Sequence, residues 1–286
     1  MVLCVIRIDE ARVRFSPGPH MNQSAEEYID ALIGLEPVFK KAGELALKMR
    51  KTAKSRNKFN TGIAGIDIVT EADLAVQDFI LSEVAETKLI ECKIFAEENT
   101  ELVKRFKGTN SLTLALDPID GTIFYASTGN FYSTIVSLND GKTPLYTFLF
   151  YPELNWARRI TENGVEDFGD LPKVNVKKGL DLSKIIVHTS RDPKKIDSGT
   201  YNKLISQGYI FRKYSDITDE SGSASLFYLN KVAGYYTINP NPYDGLCVLH
   251  YGQVKKMKIY SNLDISNIVI SDHGPHCQGW YVVLQK

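Results

Sequence analysis

An apolar run that ends in two aspartates and a turn sets the strongest limit on how this chain can fold. It reads LALDPIDGTIFYAS, from Leu114 to Ser127. Asp117 and Asp120 lie three residues apart at the end of a predicted buried strand, just before the pair Gly121-Thr122. Pro118 has a fixed φ and no amide hydrogen to satisfy, so a turn here can bring both carboxylates to one point.

This arrangement fits a metal site. Two carboxylates and the carbonyl of Ile119 form an all-oxygen set suited to a hard cation such as Mg²⁺. The N–H groups of Gly121 and Thr122 can hold phosphate if a helix begins there. Metal ligands beside a phosphate-binding turn indicate phosphoryl chemistry. An Asp-Pro-x-Asp-Gly pattern is also typical of a surface turn, so spacing alone leaves both interpretations open.

The composition narrows the class of partner. Lys plus Arg and Asp plus Glu are 34 each, which gives no electrostatic reason to expect a nucleic acid polymer. No apolar run approaches the ~20 residues of a membrane span, so we expect no membrane partner. The four cysteines are scattered without a CxxC pair, which favours a reducing cytoplasm over a disulfide or zinc framework. Residues 1–20, which end beside the sequence GPHM, are interpreted as a tag or leader.

Helical and strand periodicities are mixed along the whole chain. Helices are predicted at Ser24–Lys54, Asp67–Glu86, Tyr201–Gln207, Ser223–Val232 and Tyr243–Gln253. Strands are predicted at Cys92–Ala96, Leu112–Leu116, Phe131–Leu138, Leu145–Tyr151, Ile185–His188, Tyr209–Tyr214, Gly234–Ile238, Ile268–Ile270 and Trp280–Leu284. The mixture indicates an α/β protein of stacked layers. A weak boundary near Pro152–Asp170, dense in charge and glycine, divides residues 21–155 from residues 156–286.

Three further acidic stretches adjoin apolar segments. Asp67 opens DIVTEAD, Glu97 and Glu98 end KIFAEEN, and Asp244 lies in NPYDG. Asp67 can also be interpreted as a simple helix N-cap, and Asp244 as part of a turn in a proline-rich loop.

Taken in order, these stretches resemble the inositol monophosphatase family of Mg²⁺-dependent, lithium-sensitive phosphomonoesterases. The resemblance rests on five motifs: Asp67–Asp73 (DIVTEAD), Ala96–Glu98 (AEE, where the family has GEE), Asp117–Thr122 (DPIDGT), Gly222–Ala224 (GSA) and Tyr243-Asp244 (where the family has WD). It implies a layered αβαβα sandwich of the inositol monophosphatase and fructose-1,6-bisphosphatase type. It also implies a homodimer and an active site between an N-terminal α+β half and a C-terminal α/β half.

The resemblance also implies residue roles. Glu97, Asp117 and the Ile119 carbonyl would hold a first Mg²⁺, while Asp117, Asp120 and Asp244 would hold a second; many relatives take a third. Asp67 and Thr122 would orient and deprotonate the attacking water, and Glu98 would support a water of the metal site. The phosphate and substrate contacts would come from Gly121, Thr122, Ser223, Ala224 and Asp244. Li⁺ would inhibit.

The substrate stays open between an inositol monophosphate, a 3′(2′),5′-bisphosphate nucleotide and fructose 1,6-bisphosphate. Thr237 stands seven residues before Asp244, where inositol phosphatases often carry an acid that reads the substrate. An apolar patch at Ile123, Phe124 and Tyr125 would favour a flat group such as a base. A hypothesis of another class is a non-catalytic homologue that binds metal or phosphate.

Three other features are interpreted more simply. HGPHC, from His273 to Cys277, is expected to be a surface or packing loop rather than a metal cluster. The basic run from Lys48 to Lys58 is expected to be a solvated helix face. Ser190 and Arg191 are hypothetical contacts to a second phosphate or a sugar hydroxyl.

Overall fold

A computed structural model describes residues 23–50, 55–57, 68–127, 129–188, 193–271 and 274–286. The strands are β1 (Ser55–Asn57), β2 (Ile68–Thr70), β3 (Lys93–Ala96), β4 (Thr113–Asp120), β5 (Ser133–Asn139), β6 (Pro144–Tyr151), β7 (Trp156–Thr161), β8 (Gly164–Phe168), β9 (Ile185–His188), β10 (Ile210–Lys213), β11 (Gly234–Ile238), β12 (Lys258–Ser261), β13 (Asp264–Ser271), β14 (Gly274–Gln278) and β15 (Trp280–Leu284). The helices are α1 (Gln23–Met49), α2 (Glu71–Val84), α3 (Thr122–Ala126), α4 (Ser198–Ser206), α5 (Tyr214–Ile217), α6 (Ser223–Tyr228) and α7 (Cys247–Val254). The tag or leader predicted at residues 1–20 lies outside the described residues.

The first sheet has the strand order β3-β4-β5-β6-β7-β8 within the described ranges. β3 and β4 are parallel, whereas each later pair is antiparallel. Because successive side chains of a strand point to opposite faces, Val136 of β5 packs against Leu32 of α1 and Val76 of α2 in one core. Ile135, its neighbour, faces a second core on the other side of the sheet.

The second core joins the two large sheets. Ile135 and Leu149 of the first sheet share it with Val248 and Tyr251 of α7 and with Val283 of β15. The second sheet has the order β10-β9-β11-β15-β12, so the strand that comes last in sequence lies inside it. Helix α7 therefore forms a layer between the two sheets.

A third, smaller core covers the outer face of the second sheet. Ile186, Tyr236 and Val282 point to this face, and Leu204 of α4 packs against them. The layers thus run helix, sheet, helix, sheet, helix. The αβαβα architecture expected from the resemblance is confirmed. None of the described helices combines the length and apolar character that a bilayer crossing requires.

Two predicted helices begin later than their sequence patterns indicated. The pattern from Asp67 to Glu86 contains β2 first, because Ile68–Thr70 pairs with β1, and the helix begins only at Glu71. The helix predicted at Tyr243–Gln253 begins only at Cys247, and residues 243–246 belong to the preceding loop. By contrast, β4 is longer than predicted and runs through both aspartates to Asp120.

The stretch interpreted as a boundary carries the β7–β8 hairpin. Arg158 of this hairpin is buried: it pairs with Asp167 at 2.8 Å, and its guanidinium lies 5.0 Å from the Trp156 ring centroid. β7 pairs with β6, so the first sheet continues past residue 155. The division into residues 21–155 and 156–286 stays a prediction.

Candidate active site

The two aspartates of the DPID motif lie on one strand, at a β-bulge. Asp117 pairs with Ile135 and Asp120 pairs with Ser133, so three steps along β4 oppose two steps along β5. Side chains three apart on a regular strand point to opposite faces, and the extra residue of a bulge cancels that alternation. Thr134 Oγ1 donates to the Pro118 carbonyl at 2.9 Å and fixes the bulge.

Glu97 reaches the same place from the neighbouring strand. β3 runs parallel to β4, and Ala96 pairs with Leu116. Glu97, which follows β3, therefore lies beside Asp117 of β4. The charge of Glu97 raises the pKa of Asp117, as expected for two carboxyl groups close together.

Asp244 comes from the other half of the chain. It lies in the loop between β11 and α7, and its carboxylate converges on those of Asp117 and Asp120 with all three ligand oxygens within 4.8 Å of one another. Gly245 closes this loop, since its amide donates to the Asn241 carbonyl at 3.0 Å. A Cβ at position 245 would lie only 2.3 Å from Cβ of Pro240, so glycine is required there.

The environment of this cluster disfavours the ionised form of its carboxyl groups. Burial raises the pKa of Asp117 well above its usual value, and the charges of Glu97, Asp120 and Asp244 raise it further. Burial also raises the pKa of Asp120 to about 6, against the hydrogen bond that Ser133 Oγ donates at 3.2 Å. Such pKa shifts mean that burial and mutual repulsion disfavour the ionised forms of these carboxylates.

A divalent cation fits this donor set. Oδ1 of Asp117 is buried and accepts no hydrogen bond from the residues that the structure describes. A buried carboxylate oxygen without a donor is costly unless it meets a proton or a metal. Oxygen ligands alone suit Mg²⁺, Mn²⁺ or Ca²⁺ rather than a soft metal.

The Gly121-Thr122 turn leads directly into α3. Gly121 has φ +81°, and a Cβ there would lie 3.2 Å from the Phe131 carbonyl oxygen, so the glycine permits this turn. The Gly121 amide lowers the pKa of the Asp120 carboxyl, against the effect of burial. The Thr122 hydroxyl donates to the Ile119 carbonyl at 3.1 Å. The residues whose amides are predicted to hold phosphate thus follow Asp120 directly in the turn.

The backbone of Glu98 is held by a side chain of α2. Gln77 of α2 accepts from the Glu98 amide at 2.9 Å and donates to its carbonyl at 2.7 Å. This reciprocal pair fixes the chain where it leaves β3, immediately after Glu97. Gln77 was not singled out from the sequence, although a glutamine on the apolar face of a helix is a usable signal.

Ser223 and Ala224 approach the turn from α6. A Cβ on Gly222 would lie 3.7 Å from Cε2 of Phe124 in α3, which places the start of α6 beside the turn. The Ser223 hydroxyl is buried and has no hydrogen-bond partner in the described part of the chain. Ala224 is partly exposed.

The apolar patch predicted after the motif is wrong. Phe124 and Tyr125 are buried, and the Tyr125 hydroxyl donates to the Ala46 carbonyl at 2.9 Å. Only Ile123 of this trio is exposed, at 39%. Arg50, the residue after α1, holds this segment, because its guanidinium donates to the carbonyls of Phe124 and Tyr125. One exposed isoleucine gives no platform for a flat base.

Several predicted residues lie outside the described residues: Asp67, Ser190, Arg191, His273 and, from the basic run, Lys51, Lys54 and Lys58. α2 begins four residues after Asp67, which removes the interpretation of Asp67 as its N-cap. His276 and Cys277 belong to β14 rather than to a loop. The cluster of potential metal ligands found among the described residues contains neither of them.

Ser133 and Tyr281 also belong to the surroundings of the site, although no sequence pattern points to either. Ser133 hydrogen-bonds Asp120, and the Tyr281 hydroxyl donates to the Gly245 carbonyl at 2.5 Å. Neither lies in a recognisable motif, so only the fold identifies them.

Comparison with known proteins gives one consistent result. The sequence model described as "Inositol monophosphatase family" matches residues 30–245, more than half of the chain. Mouse inositol monophosphatase 2 is 29% identical over 194 residues, covering 65% of this chain and 66% of the relative, just under two thirds of its length. The inositol monophosphatase of Dictyostelium discoideum is 25% identical over 227 residues, covering 78% of this chain and 80% of the relative.

A solved structure of an IMPase/NADP phosphatase complexed with Mg²⁺ and phosphate is similar to this chain with a TM-score of 0.59. It has 17% sequence identity and covers 92% of both chains. At this identity the likeness concerns the fold. Together with the family match over residues 30–245 and the convergent aspartates, these findings show that the chain belongs to the inositol monophosphatase family.

Proposed function

We propose that this chain is a Mg²⁺-dependent phosphatase that hydrolyses the phosphate monoester of a small metabolite. The observation that carries the proposal is the convergence of Asp117, Asp120 and Asp244, whose carboxylate oxygens lie within 4.8 Å of one another. Family membership supports the same reaction. Carboxylates that converge on one point repel one another, and a bound Mg²⁺ would offset that repulsion.

In this proposal, Asp117, Asp120 and Asp244 hold Mg²⁺ together with Glu97 and the Ile119 carbonyl. Two or three ions would occupy the site, as the resemblance implies. When bound, Mg²⁺ supplies charge that neutralises the phosphate and lowers the pKa of a water. A cation in contact with Asp120 would also lower the pKa of that carboxyl, which burial raises to about 6, and so keep it ionised at a more acidic pH.

The other residues bind and orient the reactants. The Gly121 and Thr122 amides would hold phosphate oxygens, while Ser223 and Ala224 would contact the substrate from α6. The Thr122 hydroxyl and Asp67 would orient the attacking water, and Asp67 would take its proton. Glu98 would support a water of the metal site.

The leading substrate is an inositol monophosphate. A 3′(2′),5′-bisphosphate nucleotide and fructose 1,6-bisphosphate are the alternatives. The test is phosphate release from a panel of inositol 1-phosphate, fructose 1,6-bisphosphate, 3′-phosphoadenosine 5′-phosphate and an aryl phosphate, with Mg²⁺ and with EDTA.

Turnover that requires Mg²⁺ and is lost in Asp120→Asn would support the proposal. Asp170→Asn, which makes the same chemical change at an exposed position, is the matched control and should retain activity. Mg²⁺ binding without turnover of any panel member would favour the non-catalytic homologue. No Mg²⁺ binding by calorimetry would contradict both readings.

Three finer properties are part of the same proposal: inhibition by Li⁺, a homodimer and a cytoplasmic location. Buried free thiols at Cys92, Cys247 and Cys277 support a reducing compartment. Adding Li⁺ to the assay tests the first property, and sedimentation equilibrium tests the second. Localisation of the tagged protein by fluorescence tests the third.

A further inference from the structure

The loop that carries Asp244 lies outside the helices and strands. It runs from Asn239 to Gly245, between the end of β11 and the start of α7. Asn239 has φ 46°, so the chain turns sharply on leaving β11. Helix α7 begins after Leu246, which contributes no side-chain capping bond. Contacts from elsewhere must therefore hold Asp244 in place.

The segment from β14 to the start of β15 supplies one set of these contacts. The Asn239 amide donates to the Gly279 carbonyl at 2.6 Å. In return, the Gly279 amide donates to Oδ1 of Asn239 at 3.1 Å. One residue further along the loop, the Pro240 carbonyl accepts from the Cys277 amide at 2.9 Å. The start of the loop is thus bonded to β14 and to the turn before β15.

Tyr281 of β15 supplies the contact at the other end of the loop. Its side chain is fully buried, and its hydroxyl donates to the Gly245 carbonyl at 2.5 Å. This hydrogen bond ties the residue after Asp244 to β15.

Tyr281 is itself rigidly placed. β15 lies between β11 and β12 inside the second sheet, and Tyr281 pairs with Thr237 on one side and Ser261 on the other. The ring packs in the second core beside Tyr235. A hydroxyl on such a strand has little freedom to follow a moving loop.

We infer that Tyr281 is a positioning residue that fixes the Asp244 carboxylate for cation binding, with Asn239 acting at the start of the loop. Tyr281 lies beyond residue 245, where the match to the family model ends. The inference rests on the proposed function, because it assumes that Asp244 is a metal ligand. Its consequence is that one buried hydroxyl, remote in sequence from Asp244, strengthens Mg²⁺ binding.

The test is a calorimetric titration of the folded protein with Mg²⁺ alone. Tyr281→Phe removes one hydroxyl from a buried ring, and the Mg²⁺ affinity is expected to fall about three- to tenfold, as for the loss of one hydrogen bond. Tyr228→Phe is the matched control, because its hydroxyl is also buried but has no hydrogen-bond partner in the described structure. Its Mg²⁺ affinity should stay within about twofold of wild type.

An activity measurement separates positioning from general stability. In Tyr281→Phe the Mg²⁺ concentration for half-maximal turnover should rise by the same factor, while kcat at saturating Mg²⁺ stays near wild type. A variant with a lower melting temperature but unchanged Mg²⁺ affinity would show a purely structural role and overturn the inference. If Tyr281→Phe does not fold, Asn239→Gly keeps the positive φ and removes the Oδ1 acceptor; unchanged affinity in that variant would also overturn it.

The titration distinguishes failure of the inference from failure of the proposed function. Asp244→Asn is included for this purpose. Wild-type protein that binds no Mg²⁺, or Asp244→Asn that binds it as wild type does, overturns the proposed metal site and the inference with it. Binding that is weakened in Asp244→Asn but equal in the two tyrosine variants overturns the inference alone.

Discussion

At the scale of single residues, the balance between proton and cation at Asp120 decides how the site depends on pH. Burial raises the pKa of this carboxyl to about 6, and the Ser133 hydroxyl opposes the rise by donating a hydrogen bond. Mg²⁺ requires the ionised form, so protons and Mg²⁺ compete for the same oxygens. Affinity for Mg²⁺ should therefore increase as the pH rises through about 6.

Ser133→Ala should make this competition more severe. Without the hydroxyl the pKa of Asp120 rises further, so the Mg²⁺ affinity at pH 6 should fall roughly three- to tenfold. The loss should be smaller at pH 8, where the carboxyl is ionised in both proteins. Calorimetry at the two pH values measures this. Ser137→Ala, on the same strand but opposite Ala115, is the control; an equal effect at both pH values would contradict the prediction.

His250 gives a second prediction, concerning stability in acid. Burial lowers its pKa from 6.5 to about 3, and its Nδ1 lies 2.9 Å from Oγ1 of Thr147. Between these pKa values the unfolded chain binds a proton that the folded chain does not, so stability falls as the pH falls below 6.5. The cost at pH 5 is about 2 kcal/mol.

His250→Asn should remove this part of the acid loss. Urea unfolding at pH 7 and pH 5 measures the free energy of unfolding of both proteins. The difference between the two pH values should shrink by about 2 kcal/mol in the variant, even though the variant is less stable at pH 7. A pH difference equal to that of wild type would mean that His250 is not the group responsible.

At the scale of secondary structure elements, Arg50 connects α1 to the turn that carries the candidate site. Its Nε and Nη2 donate to the carbonyls of Tyr125 and Phe124 at 3.0 and 3.1 Å, and Nη2 also donates to the Gly129 carbonyl. These carbonyls lie at the end of α3, where a cation is favourable. Arg50 also pairs with Glu153 and is mostly buried.

Arg50→Met should therefore destabilise the protein by about 2–4 kcal/mol, since it leaves several partly buried acceptors without a donor. Equilibrium unfolding in urea gives this number. Arg105→Met breaks an exposed pair with Glu86 and should change the free energy of unfolding by less than about 0.5 kcal/mol. Equal effects of the two substitutions would show that Arg50 behaves as an ordinary surface residue.

Elements with a regular pattern were predicted well. The bounds of β9, β11 and β15 agree with the apolar runs in the sequence. The β7–β8 hairpin was missed because Arg158 and Arg159 interrupt its alternation. Arg158 is buried only because Asp167 and three aromatic rings surround it, and those partners meet only in the folded chain.

At the scale of the whole molecule, the candidate site joins two halves of the chain. Asp117 and Asp120 belong to the first sheet, while Asp244 follows a strand of the second. A cation bound by all three would stabilise the folded chain alone, because the unfolded chain does not hold these residues together. Metal binding and global stability are therefore coupled.

Mg²⁺ at 100 times its dissociation constant should stabilise the protein by about 2.7 kcal/mol. For a chain of this length that corresponds to a rise in melting temperature of roughly 5 °C. Differential scanning calorimetry with Mg²⁺, and with Na⁺ at equal ionic strength, measures the specific part. Asp244→Asn should reduce the rise, and a rise that is equal with Na⁺ would indicate only a general salt effect.

The sequence by itself determined the layered architecture and the identity of the acidic residues. Periodicities of apolar residues depend on local geometry, and the motif DPIDGT carries its chemistry within six neighbouring positions. Only the tertiary structure decided which oxygens meet. The bulge in β4 aligns Asp117 with Asp120, and Tyr281 reaches Gly245 across 36 positions of sequence. Such contacts depend on sheet register and chain closure, which no local pattern encodes.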